Sequence, residues 1–201
     1  MKLIIGLGNP GPEYTGTRHN FGFVAVEHAA EKYGSKWKKK SKFHAQIAKA
    51  KIAGEVVLFA KPMTYYNLVG QAVRVMRDYY HISNADILVI HDEMDLPIGT
   101  LRTRIGGSDA GNNGVRNLIE HLGKDFARLR IGVGKQPRHN GSTKPDANHS
   151  DFVLSRPNAD EVKLLEHQIS SIEDIIEEFS SNDFVETTYV CDLESSSCNR
   201  L

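Results

Sequence analysis

The stretch "MKLIIGLGNPG", residues 1–11, decides the fold. Apolar, β-branched residues run from 2 to 7 and stop at glycines, the pattern of a buried strand that ends in a tight turn. A strand of this kind belongs to an α/β sheet covered by helices. Its C-terminal edge is where such sheets place their ligands. Read literally, residues 6–11 also match G-x-G-x-x-G, the dinucleotide fingerprint. That fingerprint needs a helix opening at the third glycine, and an acid at the end of a second strand about 20 residues on. Here "PEYTGTRHN", residues 12–20, is polar and interrupted by Gly16, and a helical pattern stands where the second strand is needed; Glu31 lies inside that helix. No dinucleotide cofactor is expected. The turn instead fixes Asn9 between glycine and proline, and His19 follows ten residues later, just before a helix.

Outward from that turn, residues 21–33 predict a helix closed by Gly34, and "WKKKSK", residues 37–42, a basic loop. Strands are expected near 44–52 and 55–61, joined as a hairpin at Ala53-Gly54, then an amphipathic helix over 67–80. Residues 86–91 predict a buried strand running into "HDEMDLPIG"; 99–105 and 127–133 predict two more, with a helix near 113–122 between them. Residues 135–150 lack periodicity and read as a long loop. Over 160–179, Val162, Leu165, Ile169, Ile172, Ile176 and Phe179 recur at helical spacing as a core-facing stripe. The expected architecture is a single α/β domain over residues 1–182, a mixed, mostly parallel twisted sheet flanked by helices. An acidic, Ser-rich tail, 183–201, is expected to be poorly ordered.

The formal net charge is zero but unevenly spread. Residues 1–150 carry 22 Lys/Arg against 13 Asp/Glu, whereas 151–201 carry 3 against 12. A basic body with an acidic end suits a polyanion on one face, and equally a solvated acidic helix. No apolar run reaches membrane-spanning length and no signal peptide precedes the first strand. The two cysteines, Cys191 and Cys198, are expected as free thiols of a cytoplasmic protein, with a disulfide within the tail as the alternative.

No G-x-S-x-G elbow is present, and neither cysteine sits in an electropositive setting, so activated water is favoured over a protein nucleophile. His91, Asp92, Glu93 and Asp95 are rich in potential ligands, but their spacing defines no metal face, and no metal is expected. Asp92 at one strand end and His19 near another make a plausible base and orienter, the carboxylate fixing the imidazole tautomer. Asn9, Asn67 and Asn113 sit at predicted turns or helix edges, where they can orient a carbonyl, a water or a ribose.

Taken together, "GLGNPGPEYTGTRHNFG", "KPMTYYNLVG", "HDEMDLPIGTLRTRIGG", "GNNGVRNLIEHLG" and "FARLRIGVG" resemble, in order and spacing, the bacterial-type peptidyl-tRNA hydrolases over about residues 1–180. The resemblance implies a cofactor-free, monomeric cytoplasmic enzyme. It would cleave the ester between a peptide and the 3′-terminal ribose of tRNA, recycling tRNA from aborted translation. By motif position, His19 resembles the general base and Asp92 the residue that holds it. Asn9 resembles the amide that recognises an N-blocked substrate. Tyr14, Tyr65, Asn67 and Asn113 match substrate contacts, and Arg104 and Arg130 a clamp on the tRNA 5′ phosphate. Three positions depart from the pattern. Tyr66 stands where Met is usual and is expected to fill its space, with stacking on the 3′-terminal adenine as the alternative. Asn112 stands where His is common. Asp109 places a negative charge near the expected RNA path. An RNA-binding protein without turnover is the rival reading.

Overall fold

The computed structural model describes residues 1–134, 149–191 and 198–201. A nine-stranded mixed sheet carries helices on both faces. The first strand, β1 (Lys2–Gly6), is buried along its whole length. It leads through two short 3-10 turns, at 12–14 and 18–20, into α1 (Phe21–Lys32). Next come β2 (Lys38–Lys40), β3 (Ala45–Ile52) and β4 (Glu55–Pro62), all antiparallel neighbours. A 3-10 turn at 66–68 precedes α2 (Val69–Tyr80), which returns the chain to β5 (Ile87–Glu93). Then follow β6 (Thr100–Ile105), α3 (Asn113–Leu122) and β7 (Ala127–Gly132). The chain continues with α4 (His149–Val153), α5 (Ala159–Ser181), β8 (Thr188–Val190) and β9 (Asn199–Arg200). Among these described residues no helix is long and apolar enough to cross a membrane.

The strand order is β2-β3-β4-β1-β5-β7-β6-β8-β9. Parallel pairing is confined to the central four strands, β4-β1-β5-β7, and antiparallel strands extend both sides. Alternation along each central strand splits the core. Ile4, Leu88 and Ile90 pack toward α1 and α5, while Leu3, Ile5, Ile87 and Val89 pack toward α2 and α3. The chain leaving β1 turns toward β4, and the chain leaving β5 turns toward β6 and β7. The crevice between the C-terminal ends of β1 and β5 is therefore a topological switch point.

The glycines around this point are packing residues rather than a phosphate cradle. Gly11 is followed by a three-residue 3-10 turn, and the helix proper starts only at Phe21. A Cβ on Gly6 would lie 2.1 Å from the carbonyl oxygen of Gly22. One on Gly22 would lie 2.5 Å from the oxygens of both Ile90 and Leu7. These two bare Cα atoms let the first turn of α1 rest on the ends of β1 and β5.

Several expectations change. The basic stretch 37–42 was expected as a loop, yet Lys38–Lys40 pairs with β3 as an exposed edge strand. The expected helix over 67–80 gives up its first two residues to the 3-10 turn. The tail was expected to lack order, but β8 adds to β6 and β9 to β8. The cysteines were expected as free thiols; they form the Cys191–Cys198 disulfide. The register explains the pairing. Val190 faces Asn199, so the next cross-strand pair is Cys191 and Cys198, with Cα atoms 4.0 Å apart. The expected 135–150 loop, with its Arg138 and Lys144, lies outside the described residues except for the start of α4.

Replacing Gly22 by alanine tests the glycine contact. Helix propensity favours alanine by about 1 kcal/mol, but a methyl driven into two backbone oxygens outweighs that gain. Gly22→Ala is expected to lower stability by about 2 kcal/mol, measured as a reduced urea midpoint at unchanged slope.

Candidate active site

Asn9 lies in the turn after β1 and is gripped by Asn20 at the end of the second 3-10 turn. The Asn9 N–H donates to Asn20 Oδ1 (2.8 Å), and Asn20 Nδ2 donates back to the Asn9 carbonyl (3.0 Å). The Asn9 side chain has its own fixed orientation. Its Oδ1 accepts from the backbone N–H of Tyr66 (2.8 Å), and Nδ2 has no hydrogen-bond partner among the described residues. A cleft of about 390 Å³ opens here, lined by Asn9, Asn20, Phe23, Glu27, Lys61 and Met63, among others.

His19, in the turn that α1 continues, meets Asp92 at the end of β5. Nδ1 lies 3.0 Å from each carboxylate oxygen of Asp92. The carboxylate is 3% exposed and the imidazole 17%. A proton held on Nδ1 by the carboxylate puts the lone pair on Nε2, which has no hydrogen-bond partner among the described residues. Next to it, the backbone N–H of Arg18 donates to the Ser155 carbonyl. The Arg18 guanidinium reaches Ser155 Oγ (2.8 Å) and Glu161, and covers the Phe152 ring. The basic neighbour of His19 thus fastens its turn to the acidic C-terminal helix.

Tyr66 occupies the floor. Its ring stacks on the His19 imidazole with centroids 3.6 Å apart, 18° from parallel, and its hydroxyl donates to Asp92 Oδ1 (2.7 Å). Burial and the Asp92 charge push the phenol well above its ordinary range, so it stays a protonated donor. Tyr66 is 4% exposed, and its hydroxyl enters the His–Asp pair.

The other expected contact residues lie on several elements. Tyr14 is half-buried in the 3-10 turn at 12–14. Tyr65 is exposed beside Tyr66, as is Asn67 on the turn that packs against α3, and Asn113 opens α3. Arg104 of β6 and Arg130 of β7 line one cavity of about 210 Å³, together with Arg128, His91, Glu93 and Ser108. Their states differ. Arg130 is bound through Nε and Nη2 to Glu93 Oε2 (2.9 and 2.6 Å), whereas Arg104, among the described residues, donates only to the adjacent Thr103 carbonyl (2.9 Å). Arg128 is spent on the Gly107 and Ser108 carbonyls. Asp109, expected to oppose RNA, is paired with Arg116 (2.9 Å).

Asn20, Arg18, Arg128 and the Tyr66 hydroxyl escaped sequence reasoning. Arg128 alone carried a signal: it alternates with Arg130 along β7 and faces Arg104 across the ladder, so all three share one side of the sheet.

The fold is that of a hydrolase class already represented among solved structures. A peptidyl-tRNA hydrolase from Acinetobacter baumannii superposes with a TM-score of 0.83 at 37% identity, covering 91% of this chain and 90% of that one. The family model "Peptidyl-tRNA hydrolase" matches residues 3–197. Curated relatives of that name from Exiguobacterium sibiricum and Chlorobium phaeovibrioides are 42% and 44% identical. The first match covers 94% of this chain and 96% of the relative, the second 90% and 93%. The chain belongs to the peptidyl-tRNA hydrolase family.

One buried group sets a pH dependence. His91 is 2% exposed; its Nδ1 donates to the Asp92 carbonyl (2.8 Å) and its buried Nε2 has no partner among the described residues. Burial pushes this imidazole below its ordinary value. As pH falls below about 6.5 the unfolded chain takes up a proton that the folded chain resists, so stability declines. Urea midpoints are expected to drop between pH 7 and 5, and to drop less in His91→Gln.

Proposed function

We propose that this chain hydrolyses the ester joining a peptide to the 3′-terminal ribose of peptidyl-tRNA, with His19 as general base and Asp92 as its orienter. The observation that carries the reading is the two-oxygen contact of Asp92 with His19 Nδ1, which presents Nε2 as the proton acceptor. Nε2 takes a proton from water as the water oxygen attacks the ester carbonyl. The tetrahedral intermediate collapses, the proton passes to the departing ribose oxygen, and a peptide acid and free tRNA result. No cofactor enters this scheme.

Asn9 sets the substrate class. Its Oδ1 is already spent on the Tyr66 N–H, so it meets substrate through Nδ2. A donor in that position suits the carbonyl of an N-blocked residue and offers nothing to the ammonium group of a free aminoacyl ester. Tyr14, Tyr65, Asn67 and Asn113 would contact the acceptor end and peptide. Arg104 and Arg130 would meet the tRNA phosphate, a role that suits the forked guanidinium. The protein is read as a cytoplasmic monomer that returns stalled tRNA to translation.

Peptide release from N-acetyl-aminoacyl-tRNA, beside unblocked aminoacyl-tRNA, tests the reading. Release is expected from the blocked substrate only. It should fall by about 10²- to 10⁴-fold in His19→Ala, while tRNA binding persists. Binding without release by wild type would favour the rival RNA-binding role. The arginines are expected to separate: Arg104→Ala should raise KM and flatten its salt dependence by about one counterion. Arg130→Ala should do so less, because Glu93 already offsets its charge.

A further inference from the structure

Tyr66 and Asn112 touch each other beside the His19–Asp92 pair. Asn112 Nδ2 donates to the Tyr66 hydroxyl (3.0 Å) and lies 3.4 Å from the Asp92 carbonyl. Because Asn112 donates, the phenol oxygen accepts on one side, and its own proton goes to Asp92 Oδ1 (2.7 Å). The Asn112 amide is itself oriented. As N-cap of α3 its Oδ1 accepts from the Val115 N–H (3.0 Å), so Nδ2 must face the tyrosine. The ring is held equally firmly. It lies between the His19 imidazole and α3, where a Cβ on Gly114 would come within 2.4 Å of Cε1. A one-way chain of donors thus runs from α3 through Asn112 and Tyr66 to Asp92, and meets the donor from His19 at the same carboxylate.

From this arrangement we infer that Tyr66 is a positioning residue for the reaction, with Asn112 setting the direction of its hydroxyl. The inference rests on the reading of His19 as base. The Tyr66 hydroxyl takes up one lobe of Asp92 Oδ1 and prevents the carboxylate from turning, so its two oxygens stay level with His19 Nδ1. The ring covers one face of the imidazole and stops it from flipping Nε2 inward. The hydroxyl also draws off part of the carboxylate's negative charge. Without it, Asp92 would hold the protonated imidazole more tightly, and the base would be freed only at higher pH. The other charged or titratable groups nearby are His91 and Glu93 on β5, Arg130 of β7 bound to Glu93, and Arg18 bound to Glu161. None of them hydrogen-bonds to His19 or to the Tyr66 hydroxyl among the described residues.

Tyr66→Phe keeps the ring and removes the hydroxyl. The acidic limb of its kcat profile is expected to move up by about 0.5 to 1 pH unit. That shift means a loss of about 3- to 10-fold at pH 6 that recovers by pH 8, with KM little changed. The low-field Nδ1–H resonance of His19 should move further downfield, a readout independent of turnover. Asn112→Ser keeps an oxygen to cap α3 but drops the amide donor. It is expected to give the same changes in smaller measure, and it stands in for Tyr66→Phe should that variant fold poorly. An equal loss at every pH, or an unmoved profile with an unmoved Nδ1–H signal, would overturn the inference and leave Tyr66 as packing alone. His19→Ala run in parallel separates the two readings. If it retains turnover, the base assignment fails, and the resonance still reports whether Tyr66 governs the pair.

Discussion

The site depends on a steric constraint: two glycines meet where a helix begins and a strand ends. Gly6 and Gly22 place α1 closer to β1 and β5 than any side chain would permit. That closeness brings the turn carrying His19 down to Asp92, whose carboxylate is almost wholly buried. A helix displaced by the width of a methyl group would carry the imidazole out of hydrogen-bond range, and Asp92 would remain as an unpaired buried charge. Asn20 acts at the same place. Its two hydrogen bonds to the Asn9 backbone tie the end of the β1 turn to the start of α1, so His19 and Asn9 are positioned by one junction.

The polar groups at this junction are used in directions that leave little freedom. Asn9 accepts from the Tyr66 backbone, Tyr66 donates to Asp92, Asp92 accepts from His19, and Asn112 closes the series from the end of α3. Elements from both faces of the sheet therefore converge on one carboxylate. In a buried setting each such bond is costly to leave unmade, which is why a change at one member is felt at the next. The arginine cavity is built differently. Its charges are partly spent within the protein, and Arg104 is the least committed of the three.

The elements with strong periodicity were legible in the sequence. The buried run of β1, the β3–β4 hairpin and the stripe along α5 all lie within a residue or two of their expected bounds. The meeting of His19 with Asp92 was legible only in part. Asp92 sits at a strand end and His19 just before a helix, but which elements adjoin is a matter of strand order, which one sequence does not encode locally. The short strands were illegible for a physical reason. Lys38–Lys40 has no apolar face, and β8 and β9 owe their pairing to a sheet edge formed by distant residues. The contacts of the Tyr66 hydroxyl were likewise hidden, since a buried aromatic looks like bulk until its partners are seen.

The row of lysines on β2 has a consequence for how the protein behaves in a crowded solution. A sheet ends in unpaired N–H and C=O groups, and a second chain can zip onto such a margin. Here one margin is a three-residue strand in which every side chain is an exposed lysine, and the other is only two residues long. A neighbour approaching the first side meets repulsion from its own lysines, and one approaching the second finds too little backbone to hold. Both edges of the sheet thus carry features that oppose edge-to-edge pairing with a second copy.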